Sequence, residues 1–268
     1  MKAPGFLDAG RIDALGRLAS PVHRLDARAK ILATAVFVVV VMSWPRHEVS
    51  ALLPMFAFPW LIGARAGLPA AFLLRKILLA APFAVAVAIA NPIFDREPVT
   101  VAGSWQVAGG WVSFVSILLR FTLTVWAALV LVATTGMHPL CAGLERLGMP
   151  RLFATQLLFL HRYLFLIADE GFRLRRAVNL RGTAKIGLGV YSSLLGRWLL
   201  RAMDRATRVH QAMLTRGFDG QVRVLSRTNP GPRDFLFALG WTAFFALARS
   251  FNLAELASRL IFPNAHGP

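Results

Sequence analysis

Apolar runs alternate along this chain with connections whose lysines and arginines gather on one side, and that alternation restricts it to a membrane architecture. Five runs are read as spans, at about 31–43, 49–63, 77–94, 111–135 and 235–247. Residues 1–30 carry six basic side chains, the connection after the second run carries Arg65, Arg75 and Lys76, and residues 136–233 carry sixteen. The alternate connections hold only Arg46 and Arg96, with Arg249 and Arg259 in the C-terminal region. Cytoplasmic loops are enriched in Lys and Arg, so five crossings with the N-terminus inside put every basic stretch in the cytoplasm.

Composition enters here to exclude a rival class. Thirty Lys+Arg against 13 Asp+Glu would suit a nucleic-acid binder, yet 56% of residues are hydrophobic and only 16% are charged. Soluble domains average about 25% charged. Charge segregated between apolar runs argues for contact with lipid and against nucleic acid. The expected fold is therefore all-α and polytopic, with about five transmembrane helices plus two long amphipathic cytoplasmic helices. Its expected divisions are a cytoplasmic segment 1–30, a four-span region 31–135, a cytoplasmic region 136–233, and a last membrane helix with the C-terminus at 234–268.

The first two runs are shorter than the roughly 20 residues that cross a bilayer, and Pro45, Pro54 and Pro59 lie in or beside them. Either they borrow flanking residues, or together they form a hairpin partly sheltered by protein. Residues 152–168 are apolar enough for a sixth crossing, but His161 and Arg162 sit near the centre. A central Arg costs about 2.5–3.5 kcal/mol on insertion scales, so this stretch is expected to lie at or under the membrane. Residues 1–30 show no apolar core or cleavage site, so the first run is expected to act as its own insertion signal.

Within the basic region one pattern occurs twice. Arg173-x-x-x-Ala177-x-x-x-Arg181-Gly182 returns as Arg208-x-x-x-Ala212-x-x-x-Arg216-Gly217. Residues four apart share a helix face, so each copy draws a stripe of Arg, Ala, Arg closed by glycine. The pattern predicts two helices, about 150–181 and 188–216, each stopped by its glycine with an Arg in the last turn. Arg-Gly ends many helices, and the spacing of Arg197, Arg201, Arg205 and Arg208 equally suits anionic headgroups. A repeated stripe with a small residue between its arginines points further, to docking on an acidic surface, twice.

Catalytic and nucleotide-binding motifs are missing. There is no G-x-x-x-x-G-K-[ST] run, no H-E-x-x-H and no C-x-x-C, and the six histidines are scattered. Cys141 is the single cysteine, so no intrachain disulfide can form; with His138 it makes an isolated H-x-x-C. Arg120, inside the fourth run, is a functional candidate by its position, and snorkelling or pairing with a partner's carboxylate are its other readings.

These features resemble the transmembrane T component of energy-coupling factor transporters, most closely its cobalt-type members. Leu25, Asp26, Arg28 and Lys30 match the family's Leu-Asp-Pro-Arg-x-Lys signature, with Ala27 where proline is usual. The two Arg-Gly ends are similar to its paired Ala-Arg-Gly signatures, with Leu180 and Thr215 replacing the alanine. The likeness extends to the Gly217-Phe218-Asp219-Gly220 tail and covers nearly the whole chain. It implies that Arg173, Ala177, Arg181, Gly182, Arg208, Ala212, Arg216 and Gly217 dock two cytoplasmic ATPase subunits. It further implies a separate substrate-binding membrane subunit, a small accessory membrane subunit, and ATP held only by the ATPases, with no cofactor, metal or catalytic residue in this chain. The location implied is the cytoplasmic (inner) membrane. Cobalt is the substrate implied, with nickel or a vitamin as alternatives. The rival classes are a conventional ABC permease, an integral-membrane enzyme or secondary transporter, and a membrane anchor for acidic partners.

Overall fold

Asp26 starts the first helix. Its Oδ1 accepts from the Arg28 N–H at 2.8 Å, the N-cap bond that satisfies an otherwise orphaned donor, and α1 (Ala27–Ser43) follows. A computed structural model describes residues 15–16, 20–45, 48–94, 98–101, 105–180, 187–220 and 231–251. Beyond α1 come two 3-10 turns (Ser50–Leu52 and Pro54–Phe56), then α2 (Ala57–Arg65), α3 (Ala70–Ala88) and the short α4 (Asn91–Phe94). A hairpin pairs β1 (Pro98–Val101) with β2 (Trp105–Ala108), antiparallel, with Pro98 opposite Ala108. Helices α5 (Gly109–Thr135), α6 (Met137–Arg146), α7 (Arg151–Leu180), α8 (Leu188–Leu214) and α9 (Pro232–Phe251) follow among the described residues. The protein is an all-α polytopic membrane protein, this one hairpin apart.

By length and composition, three described helices can cross a bilayer: α3, α5 and α7. At 1.5 Å per residue, the 27 residues of α5 span about 40 Å and the 19 of α3 about 28 Å, against a hydrocarbon core of about 30 Å. The run expected at 49–63 is not one helix. Prolines lack the N–H that an α-helix needs, and the segment instead takes two 3-10 turns before α2, with Pro54 opening the second turn. The run expected at 77–94 begins earlier, at Ala70, and breaks after Ala88 before α4. Residues 152–168, expected at or under the membrane, form the first half of the continuous 30-residue α7. Any extension of the last helix towards Phe262 falls outside the described residues.

Two compact units emerge, one within Ile12–Gly143 and Thr228–Pro268, the other within Leu144–Arg227. The first has a dense core. Phe37, Val41, Leu52, Met55, Leu123, Val130 and Phe245 are fully buried, and Phe58 lies 4.8 Å from Phe37, 5.2 Å from Phe245 and 4.9 Å from Trp241 between ring centroids. The short second run is thus sheltered by protein. Beside Leu123 and Val130, the buried face of α5 is made of small residues (Gly109, Gly110, Ser113, Ser116, Ala127, Ala133, Thr134), the composition that lets helices approach closely in lipid. Exposed Leu74, Leu78, Leu79 and Phe83 line the outside of α3.

Candidate functional site

Helices α7 and α8 pair within the second unit through a few specific contacts. The Trp198 indole N–H donates to the Ile167 carbonyl at 3.0 Å. Opposite it is Gly171, where a Cβ would lie 3.1 Å from the Trp198 ring, so a larger residue would press on the indole. Arg201 closes the crossing on Glu170 at 2.6 Å. Further along, Phe159, Tyr163, Val209, Met213 and Phe218 line an open cleft of about 510 Å³. Each helix thus turns one apolar stripe to its partner and leaves the rest uncovered.

The repeated stripes fall on the uncovered faces. Arg173 and Ala177 are exposed on α7, and Arg208 and Ala212 are exposed on α8. Arg216 is exposed just beyond the end of α8. Arg181 and Gly182 lie outside the described residues, so the end of the first copy is not described. The second copy's end is. Gly217 has φ +76°, its N–H donates to the Leu214 carbonyl, and the Phe218 N–H donates to the Met213 carbonyl, both at 3.0 Å. This pair of bonds is a Schellman stop, which needs a left-handed residue and therefore favours glycine. It fixes Arg216 at the tip, beside the exposed Arg208 and Ala212.

The N-terminal signature sits in the other unit and has a different environment. Lys30 is 4% exposed and its ammonium donates to the Thr134 carbonyl at 3.0 Å, in the last turn of α5. Asp26, besides capping α1, donates its N–H to Asp234 Oδ1 at 2.8 Å. The other Asp234 oxygen accepts from the Gly231 N–H at 2.8 Å, so one carboxylate ties the starts of α1 and α9 together. Leu25 and Arg28 are half-buried beside this knot. Arg120 performs the converse of Lys30: it donates to the carbonyls of Trp44 and Pro45 at 3.0 and 2.7 Å, just past the end of α1. Each of α1 and α5 supplies a cation to carbonyls at the other's C-terminal end, where the helix dipole is negative. Arg249 adds a guanidinium stacked 4.5 Å from the Trp44 ring.

Sequence reasoning missed Asp234 and the Glu170–Arg201 and Gly171–Trp198 contacts. Asp234 had a readable signal, since Gly231-Pro232-Arg233-Asp234 places an acid in the first turn of a proline-initiated helix. The cross-helix contacts join residues about 30 apart in sequence and had none. Cys141 is fully buried, and burial pushes its thiol above the ordinary range, which suits packing and not metal ligation. Among the described residues no three His, Cys, Asp or Glu side chains converge.

Membrane-length helices, a tightly clamped helical unit and a long helix pair with arginines on its open faces mark a polytopic membrane protein. The family model CbiQ, described as cobalt transport protein, matches residues 19–225, and the chain belongs to that family. A curated relative, the cobalt transport protein CbiQ of Rhodobacter capsulatus, is 30% identical over 112 residues. That match covers 41% of this chain, and the chain spans about half, 46%, of the length of that relative.

Proposed function

We propose that this chain is the non-catalytic transmembrane coupling subunit of an ATP-driven energy-coupling factor importer that takes up cobalt ion. In this reading it lies in the cytoplasmic (inner) membrane with its N-terminus in the cytoplasm, and residues 136–233 form the cytoplasmic coupling region. Two cytoplasmic ATPase subunits hold the ATP and dock on the ends of α7 and α8. A separate membrane subunit, joined by a small accessory one, carries the substrate. The observation that carries the reading is the exposed Arg208, Ala212 and Arg216 stripe closed by Gly217, repeated in sequence as Arg173, Ala177, Arg181 and Gly182. Family membership supports cobalt as the cargo.

The mechanism is mechanical. Closure of the ATPases on ATP moves the two arginine-tipped helix ends, and α7 and α8 pass that displacement to the substrate subunit. Exposed Leu195, Leu199, Leu200 and Met203 on α8 supply a sliding apolar contact, since such side chains repack readily. Replacing both terminal arginines by glutamate (Arg181→Glu with Arg216→Glu) is expected to abolish co-purification with the ATPases while leaving the chain in the membrane. Interfacial Arg hot spots are worth about 2 kcal/mol or more each, and charge reversal adds repulsion. Intact, ATP-hydrolysing assembly in that double variant would sink the docking role. Uptake of cobalt against nickel by the reconstituted complex tests the cargo separately.

A further inference from the structure

The first unit carries a large open cleft that the arginine stripes do not line. Its volume is about 910 Å³, and it lies between the segment before α1, the end of α2 and the start of α9. Its size lies in the range of small-molecule sites, about 300–1,000 Å³. Leu61, Leu236 and Trp241 form its apolar wall, and Arg24, Arg65 and Arg233 stand around it. All three arginines are exposed, and among the described residues none has a carboxylate within ion-pair distance. The one acid in the lining is Asp234, whose two oxygens already accept from the Asp26 and Gly231 N–H groups. Among the described residues, the cleft therefore combines three guanidinium groups that have no carboxylate partner with one satisfied carboxylate.

Its position explains what such a combination is for. Arg65 lies in the last turn of α2 and Arg233 in the first turn of α9, each at the basic end of an apolar run that the sequence reads as a span. Basic side chains and tryptophan at the ends of spans meet headgroups. We propose that the cleft binds one anionic phospholipid, with its phosphodiester among Arg24, Arg65 and Arg233 and an acyl chain along Leu61, Leu236 and Trp241. A zwitterionic lipid would leave the net positive charge of the cleft unneutralised. Inorganic phosphate would satisfy the arginines and leave the apolar wall bare.

The test uses the full-length chain alone, so its outcome is independent of ATPase docking. Purified protein is exchanged into detergent doped with phosphatidylglycerol, phosphatidylcholine or inorganic phosphate, and bound lipid is counted by native mass spectrometry beside the thermal midpoint. Phosphatidylglycerol is expected to remain bound and raise the midpoint, while phosphatidylcholine and phosphate do neither. The triple substitution Arg24→Gln, Arg65→Gln, Arg233→Gln is expected to weaken phosphatidylglycerol retention about 100-fold, at roughly one kcal/mol per arginine. A charge-matched triple elsewhere, Arg75→Gln, Arg162→Gln, Arg175→Gln, should leave it unchanged. Equal retention of both lipids by the unaltered chain, stabilisation by phosphate alone, or equal loss in the two triples would overturn the proposal.

Discussion

Helices α5 and α8 have the same length, 27 residues, and opposite surroundings. Ten residues of α5 are buried, and its one arginine, Arg120, is bound to the backbone end of another helix. None of the described side chains of α8 is buried, and Arg197, Arg201 and Arg208 are exposed on it. The difference lies in what the cations meet. In the first unit Lys30 and Arg120 are spent on helix C-termini, where a buried carbonyl would otherwise lack a donor. Among the described residues of the second unit, Arg201 is the α8 arginine with a close carboxylate partner, Glu170. In the function proposed above, such exposed guanidinium groups and leucines are what a partner would meet. The clamped unit is a frame; the α7–α8 pair is a surface.

If that contrast holds, substitutions should cost stability in the first unit and interaction in the second. The largest stability loss is expected for Phe58→Ala, which removes a ring in contact with Phe37, Trp241 and Phe245. Lipid tails are as apolar as the core, so the penalty comes mainly from the cavity and lost contacts, about 2–4 kcal/mol. Thermal unfolding in detergent micelles would show it as the largest drop in midpoint. Next comes Asp234→Ala, which orphans the Asp26 and Gly231 N–H groups together. Unmade buried hydrogen bonds cost about 1–3 kcal/mol, so a loss near 2 kcal/mol is expected, with Asp234→Asn losing less because it keeps one acceptor oxygen. A midpoint unmoved by Asp234→Ala would mean the α1–α9 knot is incidental. Removing the exposed Glu170–Arg201 pair should change the midpoint very little, as surface pairs generally do.

The parts of this architecture that could be read in advance are those written in local patterns. The two long amphipathic helices follow from their Arg-x-x-x-Ala-x-x-x-Arg spacing and closing glycines, and they occupy 151–180 and 188–214 against the expected 150–181 and 188–216. Membrane character follows from apolar run length. Hydropathy averages over Pro54 and Pro59, whereas the backbone does not, so the division of the second run into two 3-10 turns before α2 was not legible. Lys30 and Arg120 were legible as residues and not as roles. Which carbonyl a cation reaches depends on bringing Thr134 beside Lys30, 104 positions away, and no local pattern encodes that. Asp26 was legible as a family signature, and its N-cap bond is local; its second partner, Asp234, is not.

A modest expected stability effect, at Gly217, divides frame from surface most cleanly. At Gly217, φ is +76° and a Cβ would meet nothing within 4 Å. Any penalty for Gly217→Ala therefore comes from the left-handed backbone alone, about 1 kcal/mol. Gly217→Asn tolerates that conformation better while adding a larger side chain. Hydrogen exchange at the Gly217 and Phe218 amides, the two donors of the stop, would report fraying of the α8 end in the alanine variant and little in the asparagine variant. ATPase binding then discriminates. If the stop holds Arg216 in place for docking, Gly217→Ala should weaken binding about fivefold and Gly217→Asn should stay near the unaltered chain. If the partner instead packs against the bare glycine, asparagine should be the more damaging of the two, because the obstruction would outweigh the backbone. Equal binding by all three would leave Gly217 as a helix stop with no part in docking.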